Sequence, residues 1–343
     1  MNGKKFAVIS LGLTILSLVV FALPIIIIDP YFHYHAPLKN LEYPIDNQRY
    51  QNDGMLKNFS YDAIIIGSSM TINFKPEEFN QLFGTEALHV SFLGASYKEI
   101  NNNILAGLRN NPNTKMVLRG LDITMLHEDK DYMKYEPSRY PTYLYDENIF
   151  NDVNYVFNKE VFDLSLKVLE NEKEEVTEAD LSAYSKAAVL KSFERKPLVK
   201  EQLEFTKQDR ENVLANVRQN ITSTAEQYPQ VTFYLFWTPY NICYWDEMNQ
   251  EGKLNYMLEA EKAAIEEILK YENIRLFSFS SNTELICNLD NYCDQGHYSP
   301  LINSEILKWI KNGDYELTKE NYEQYIEQMK IFLSTYNYDA IYQ

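Results

Sequence analysis

Cysteine is scarce in this chain, which limits what disulfides can contribute. The 343 residues include three cysteines, Cys243, Cys287 and Cys293. Because the number is odd, at most one disulfide can form within the chain. Cys287 and Cys293 flank a short loop that a bridge could brace. Three reduced or buried thiols are the alternative, and the one we favour.

Positive charge is also in short supply. There are 32 lysines and arginines against 49 aspartates and glutamates, so the formal net charge is −17. Such a chain repels nucleic acid, and no basic patch with interleaved aromatic residues offsets the repulsion, so no nucleic-acid partner is expected. The charge favours a neutral substrate over a polyanion. There is no internal repeat and no low-complexity tract, and the length fits one large domain or two small ones.

Charge of either sign is missing from the N-terminal run Phe6 to Ile28, which is 23 residues long. A helix of that length can span a bilayer core. Two lysines precede the run and Asp29 follows it, which favours a cytoplasmic N-terminus with the rest of the chain outside. A cleavable signal peptide is the rival, but the run contains no good cleavage site. We predict a single-pass membrane anchor over residues 1–29 and a membrane-proximal connector over 30–60.

Five short apolar runs predict strands, and helical patterns separate them. The strands are predicted at Ala63–Ile66, Ala87–Phe92, Met116–Leu121, Val231–Trp237 and Ile274–Phe279. The helices are predicted at Pro76–Phe83, Tyr97–Arg109, Gln208–Tyr228, Lys253–Lys270 and Pro300–Lys311. This alternation indicates an α/β protein, a three-layer α/β/α sandwich with a mainly parallel, five-stranded, flavodoxin-like sheet.

The α/β domain is predicted to cover residues 61–315. Residues at about 125–205 are rich in Tyr, Asp, Glu and Lys and show no clear pattern. We interpret them as an insertion beside the active site, such as a helical lid. Residues 316–343 are predicted to form a C-terminal tail with an amphipathic helix at 318–336.

Two stretches carry the residue types of serine chemistry. Ser68 and Ser69 follow the first predicted strand and Gly67, at the carboxyl end where parallel sheets bind ligands. The alternative for this stretch is an ordinary helix entry with serine as the N-cap. Far downstream, CDQGHYSP places Asp294 and His297 three residues apart. A nucleophilic serine needs such a base and a carboxylate that orients it.

Together the two stretches resemble the SGNH/GDSL hydrolase family, which has a G-D-S-L-type block after its first strand and a D-x-x-H block near its C-terminus. The resemblance runs from about Tyr61 to Ile310. It implies Ser69 as the nucleophile, Asp294 as the orienting carboxylate and His297 as the base. The N-terminal segment and the middle region also look like membrane-anchored SGNH-like proteins of Gram-positive bacteria.

The same resemblance implies an oxyanion hole made by the backbone N–H groups of Ser69 and Gly94. A glycine lets a backbone N–H approach an oxyanion closely. For Gly94 a plain strand-to-helix turn is the alternative. Many members of the family have an asparagine donor where this chain has Asp122, and an ionised carboxylate would oppose an oxyanion.

Four side chains are candidates for the pocket. They are Ser68, Asp122, Trp237 and Tyr240, and core packing is the alternative for Trp237 and Tyr240. A metal site at His33 and His35, or at residues 127–129, lacks the further ligands that a metal hydrolase needs. No metal or other cofactor is expected.

These features predict an extracytoplasmic serine esterase or O-acyltransferase that acts on an acyl ester of a cell-envelope glycan through an acyl-enzyme. Partners would be the acylated glycan and the membrane, and for transfer a membrane protein that supplies the acyl group. The alternative is a non-catalytic envelope protein that keeps the fold and binds glycan or a partner protein. Asp122 in place of asparagine is the feature that favours this alternative.

Overall fold

The computed structural model describes residues 3–45, 47–170 and 183–342. The chain divides into two compact units, Met1–Phe59 with Tyr135–Val176, and Ser60–Lys134 with Thr177–Gln343. Residues 171–182 of the predicted insertion lie outside the described residues.

The α-helices are α1 Gly3–Ile28, α2 Gln48–Asn58, α3 Pro76–Phe83, α4 Tyr97–Asn110, α5 Val153–Val156, α6 Lys159–Glu170, α7 Lys186–Ser192, α8 Lys207–Val217, α9 Ser223–Gln227, α10 Ile242–Gln250, α11 Leu254–Ile268, α12 Thr283–Cys287, α13 Pro300–Asn312 and α14 Tyr322–Thr335.

The first unit contains α1, α2, α5 and α6. Helix α1 has 26 residues and a mean hydropathy of 2.8 over its most apolar stretch, so by length and composition it could cross a membrane as an anchor or serve as a signal sequence. One face of its last turns is buried through Ala22, Ile25 and Ile28. Helix α6 packs against α1, so the unit folds around the C-terminal end of the apolar helix.

Asp29, directly after α1, fixes the path of the chain as it leaves the helix. Its side chain is fully buried and its φ is 51°. The carboxylate accepts hydrogen bonds from the backbone N–H groups of His33, Tyr34 and His35 and from the hydroxyl of Tyr155. A buried carboxylate needs several donors of this kind. The ring of His33 also contacts a carboxylate, that of Asp152, at 3.2 Å.

The second unit is built on a six-stranded sheet in the order β2-β1-β3-β4-β5-β6. The first five strands are parallel and β6 is antiparallel to β5. The strands are β1 Ala63–Ile66, β2 Ala87–His89, β3 Met116–Leu121, β4 Thr232–Trp237, β5 Ile274–Ser278 and β6 Glu316–Leu317. The order of the parallel strands is the flavodoxin-like one, so the predicted α/β fold class is confirmed.

Helices cover both faces of this sheet. Helices α3 and α13 pack together, and α4, α8 and α11 form the other layer with the wide helical turn at Arg218–Thr222. The strands read as continuous apolar runs because both faces are covered, and every residue of β1 is buried. Pairing between the first two strands continues past β2, since Phe92 donates its backbone N–H to the carbonyl of Gly67 at 3.0 Å. This pairing holds the loops after β1 and β2 side by side.

The observed units differ from the predicted boundaries in two places. Residues Tyr135–Val176, predicted as part of an insertion in the α/β domain, group with the N-terminal segment. The predicted tail belongs to the α/β unit, where β6 extends the sheet and α14 buries an apolar stripe. The stripe is Tyr325, Ile326, Met329 and Leu333.

Glu261 on α11 is a carboxyl group inside the α/β unit. It is 1% exposed, and its Oε1 accepts a hydrogen bond from the Tyr325 hydroxyl at 2.7 Å. The other oxygen, Oε2, has no hydrogen-bond partner among the described residues. Burial raises the pKa of Glu261 from 4.5 to about 7, although the Tyr325 hydrogen bond opposes the rise.

We expect Glu261→Gln to make the free energy of unfolding less dependent on pH. The unfolded chain releases this proton near pH 4.5 and the folded chain near pH 7, so folding takes up a proton between these values. The contribution of Glu261 to the stability of the wild type should therefore be greatest below the lower value and be lost as the pH rises through the higher one. At about 1.4 kcal/mol per pKa unit, the loss is on the order of 3 kcal/mol. Chemical unfolding of both proteins in detergent on either side of this window measures it, and an unchanged pH dependence in the variant would contradict the assignment.

Candidate active site

Ser69 begins a single tight helical turn, Ser69–Thr71, directly after β1. Ser68 is the N-cap of this turn, and its hydroxyl accepts the backbone N–H of Met70 at 3.3 Å. The serine that caps the turn is therefore Ser68. The hydroxyl of Ser69 is not used in capping and can bind another partner. Thr71 closes the turn by donating its hydroxyl to the carbonyl of Ser68 at 2.8 Å.

Two glycines let this turn sit directly on the sheet. A Cβ at Gly67 would lie 2.6 Å from Cγ2 of Thr71, and a Cβ at Gly120 would lie at the same distance from the same methyl group. Real Cβ atoms do not approach that closely, so the methyl group of Thr71 occupies space that only glycine leaves free at both positions. The turn Ser69–Thr71 is thereby pressed against the ends of β1 and β3.

Asp294 and His297 share one loop that Asp294 itself holds together. Oδ1 of Asp294 accepts the backbone N–H groups of Gly296 and His297 at 2.8 and 2.7 Å, and Oδ2 accepts Nδ1–H of His297 at 2.7 Å. Asn241 ties the loop to the end of the sheet by donating to the carbonyl of Asp294 at 2.7 Å. All three cysteines are free thiols, so no bridge between Cys287 and Cys293 braces the loop.

The structure brings Ser69, His297 and Asp294 into one hydrogen-bonded chain. Oγ of Ser69 lies 2.8 Å from Nε2 of His297. Since Nδ1 of His297 donates to Asp294, the neutral ring has a free lone pair on Nε2 for the Ser69 hydroxyl. This is the order of nucleophile, base and orienting carboxylate that serine chemistry requires.

The pKa shifts of Asp294 and His297 agree with the roles of orienting carboxylate and base. Burial alone would raise the pKa of Asp294, but its hydrogen bonds from the His297 ring, from the His297 backbone N–H and from the Gly296 backbone N–H together lower it to about 2. Asp294 is therefore ionised at neutral pH. The hydrogen bond to Asp294 raises the pKa of His297 above 6.5, burial opposes the rise, and the charges of Asp294 and Asp122 add to it. The site is built to stabilise an imidazolium.

A pH–rate profile reports this shift directly. If Ser69 and His297 act on an ester, His297 must be neutral to accept the proton of Ser69, so kcat/KM for that ester should rise with pH and reach half its plateau above pH 6.5. Two esters with different leaving groups should give the same midpoint, which ties the ionisation to the enzyme. A midpoint below the ordinary histidine value would contradict the role of Asp294 as the charge that raises it.

Gly94 lies on the cavity wall together with Ser69. Its φ is 59°, a backbone conformation that favours glycine, and it follows β2 on the loop that pairs with the end of β1. Space is not the constraint, because a Cβ here would meet only the side chain of Lys134 at an ordinary 3.6 Å. The positive φ is what requires glycine, and the predicted role of its N–H in an oxyanion hole stays a prediction.

The candidate residues open into one cavity of about 630 Å³. Ser68, Asp122 and Tyr240 line it, whereas Trp237 does not, since it is 2% exposed on β4 and packs in the core. Sequence reasoning missed the wall formed by α10, which was not predicted. The remaining lining residues are Met70, Thr124, Met125, Ser192, Tyr244, Glu247, Met248, Glu251, Gln295 and Gly296.

Asp122 is a carboxyl in the wall of the cavity. It is 2% exposed, and Oδ1 accepts the Thr238 hydroxyl at 2.9 Å and lies 3.5 Å from the Tyr240 hydroxyl. Burial raises its pKa, while hydrogen bonds from Ser68, Thr238 and Tyr240 and the charge of His297 oppose the rise. Within the described residues, no group of three or more His, Cys, Asp or Glu side chains is arranged to hold a metal ion.

The fold and the site define a class, an α/β protein with a serine–histidine–aspartate chain at the carboxyl edge of a parallel sheet. No family model and no curated protein matches the sequence. One distantly similar solved structure is described as a platelet activating factor from Streptococcus pneumonia, with 12% identity, a TM-score of 0.39, and 78% of this chain and 91% of that chain covered.

A second solved structure is the C-terminal catalytic domain of the peptidoglycan O-acetyltransferase OatA of Streptococcus pneumoniae, with a methylsulfonyl adduct. It has 9% identity and a TM-score of 0.32, and the match covers 74% of this chain and 90% of that chain. TM-scores this low mark a remote likeness, so neither structure bears on the function of this chain.

Proposed function

We propose that this chain is a serine esterase or O-acyltransferase of the SGNH type that works through a covalent acyl-enzyme on Ser69. The observation that carries the proposal is the unbroken chain from Ser69 Oγ to His297 Nε2 at 2.8 Å and from His297 Nδ1 to Asp294 Oδ2 at 2.7 Å. Two short contacts of this kind, facing a cavity of about 630 Å³, provide both an activated nucleophile and room for a substrate.

In the proposed mechanism Ser69 Oγ attacks the ester carbonyl while His297 takes the hydroxyl proton. The negative charge that forms on the carbonyl oxygen is stabilised by the backbone N–H groups of Ser69 and Gly94. His297 then gives its proton to the leaving alcohol, and the acyl group remains on Ser69. A water or a sugar hydroxyl, deprotonated by the same His297, releases the acyl group and restores the free serine.

The proposed substrate is an acyl ester of a cell-envelope glycan, on the outer side of a membrane that α1 anchors. The apolar helix and the two lysines before it support this location. Carboxylates in the cavity wall, including Asp122, Glu247 and Asp294, favour a neutral glycan over a polyanion. Transfer rather than hydrolysis would require an acyl donor, which a membrane partner protein would supply.

Covalent labelling of the full-length protein with a fluorophosphonate tests the proposal. The reagent phosphonylates a serine only when a neighbouring base activates it, so one equivalent should be incorporated. Fragmentation mass spectrometry should then place the adduct on Ser69 rather than on its neighbour Ser68. Wild-type protein left unlabelled under conditions that modify a control serine hydrolase would contradict the proposal.

Asp122 supports a second candidate, a binding protein that keeps the fold without catalysis. Its carboxylate lies in the wall of the same cavity as Ser69 and Gly94. Binding of a glycan with no turnover of any ester, in protein that also resists the fluorophosphonate, would favour this candidate.

The charge of Asp122 can be tested separately from its shape with Asp122→Asn. The amide can still accept the hydroxyl of Thr238, but it removes a negative charge from the cavity wall. We expect the hydrolysis of a small ester to rise about tenfold, which corresponds to about 1.4 kcal/mol less opposition to the oxyanion. Thr238→Val serves as the control for disturbance of the wall. A fall in the rate would mean that the charge is used, for example to stabilise the imidazolium of His297.

A further inference from the structure

Phe21, inside the apolar helix α1, is covered by aromatic rings of the first unit. The ring of Phe162 on α6 stacks on it at 4.6 Å between centroids, and the ring of Phe157 stacks at 6.3 Å. Both α5 and α6 pack against α1. Part of the folded unit therefore lies alongside the apolar helix rather than beyond its end.

The opposite face of α1 at the same height is uncovered and apolar. Leu23, Ile26 and Ile27 are 45%, 42% and 53% exposed, and the helix carries no charged residue after Lys5. If α1 spans a bilayer, lipid must reach at least to Ile27 on that face. Phe21 lies six residues earlier, or about 9 Å deeper along the axis. The elements that stack on Phe21 are then at the depth of the lipid.

Those elements and the turn just before α5 expose a set of large apolar side chains that is unusual for a protein surface. Phe150 is 87% exposed and Ile149 is 72% exposed, and four others are between about a third and a half exposed. We call this set the apolar patch. It consists of Ile149, Phe150, Val153, Phe157, Leu166 and Leu169.

On helix α6, the apolar side chains of the patch and the charged side chains lie on different flanks. Phe162, Leu166 and Leu169 follow one another at intervals of four and three residues and so share one flank of the helix. Asp163 and Lys167 project from the opposite flank. The buried face, through Val161, Leu164 and Val168, lies between them. A helix with a buried face, one apolar flank and one charged flank is suited to lie at a boundary between protein, lipid and water.

We propose that the apolar patch inserts into the phospholipid leaflet from which α1 emerges at its C-terminal end. The first unit is then partly embedded in the membrane beside α1 and is more than a membrane-proximal connector. The patch carries no cluster of basic residues, so insertion rests on apolar burial and does not require anionic lipid. The proposal is independent of the chemistry at Ser69.

Quenching of added tryptophans by brominated lipid tests the insertion in the full-length protein. The three native tryptophans all lie in the α/β unit, and the wild type measures their background. Phe150→Trp and Leu166→Trp report on two separate segments of the patch. Lys167→Trp is the matched control, because it is the next residue on the same helix and is also exposed. Each protein is reconstituted into vesicles of phosphatidylcholine with and without bromine on the acyl chains.

We expect the Phe150→Trp and Leu166→Trp proteins to lose fluorescence in brominated vesicles and to emit at shorter wavelength than Lys167→Trp. The Lys167→Trp protein should be quenched no more than the wild type. Equal quenching at positions 166 and 167, or none at both 150 and 166, would overturn the proposal. So would a wild-type protein that fails to float with the vesicles, because α1 would then not be a membrane anchor.

Discussion

Ser69→Ala is expected to reduce ester turnover by a factor on the order of 10⁶, because it removes the atom that we propose attacks the carbonyl. His297→Ala should cost nearly as much, since without a base the Ser69 hydroxyl stays protonated. The double variant should be hardly worse than either single one, because the two groups lie 2.8 Å apart and act as a unit. Steady-state kinetics on one ester, with circular dichroism to verify folding, measures all three.

Ser68→Ala is the matched control for this experiment. Ser68 caps the turn that carries Ser69, and loss of a cap costs about 1 kcal/mol of stability. Its effect on turnover should therefore be small next to that of Ser69→Ala. If Ser69→Ala kept wild-type activity while Ser68→Ala lost it, the nucleophile would be the neighbouring residue, and the geometry at His297 would have to change on substrate binding.

Asp294→Asn should reduce turnover by about 10⁴, through the tautomer of His297 rather than through the fold. Oδ1 of Asp294 accepts two backbone N–H groups, from Gly296 and His297, and this pair of donors fixes the orientation of an asparagine amide. Its carbonyl oxygen must face those donors, so its NH₂ group faces Nδ1 of His297. The ring must then carry its proton on Nε2, where it cannot accept the proton of Ser69.

The pH dependence separates this explanation from loss of structure. Without the Asp294 charge, the pKa of His297 should fall, so the midpoint of the pH–rate profile should move to lower pH even though the plateau is far lower. NMR of the imidazole nitrogens would show the change of tautomer directly. Activity near that of the wild type would mean that Asp294 does not orient the base.

The strands and the residues of the Ser69–His297–Asp294 chain can be predicted from sequence because short local patterns encode them. Met116–Leu121 was predicted with its observed limits, as a buried apolar run bounded by turn signals. The second strand was predicted as far as Phe92 but ends at His89, although its hydrogen bonding to the neighbouring loop continues to Phe92. Ser69 is predicted from the short motif that follows the first strand, and Asp294 and His297 are predicted from a short motif far downstream, after the last parallel strand.

Features that depend on tertiary contacts were not accessible. The strand Glu316–Leu317 has two residues and exists only because Leu276 and Phe277 offer an edge to pair with. The part of the cavity wall formed by α10 could not be predicted from the sequence. Its Tyr, Glu and Met side chains are equally common on helices that line no cavity. The grouping of Tyr135–Val176 with the N-terminal segment is set by its packing on α1, which the local sequence does not reveal.

The two glycines beneath Thr71 have a consequence for how relatives of this chain should be recognised. Neither glycine is among the residues that line the cavity, yet each is fixed by the same methyl group, at 2.6 Å from where its own Cβ would be. In a lineage that retains the chemistry, positions 67 and 120 should therefore change only together with position 71, whereas a lineage released from catalysis can fill either one freely. The combination of Gly67, Thr71 and Gly120 should therefore identify relatives that keep the same chemistry better than Ser69 alone does.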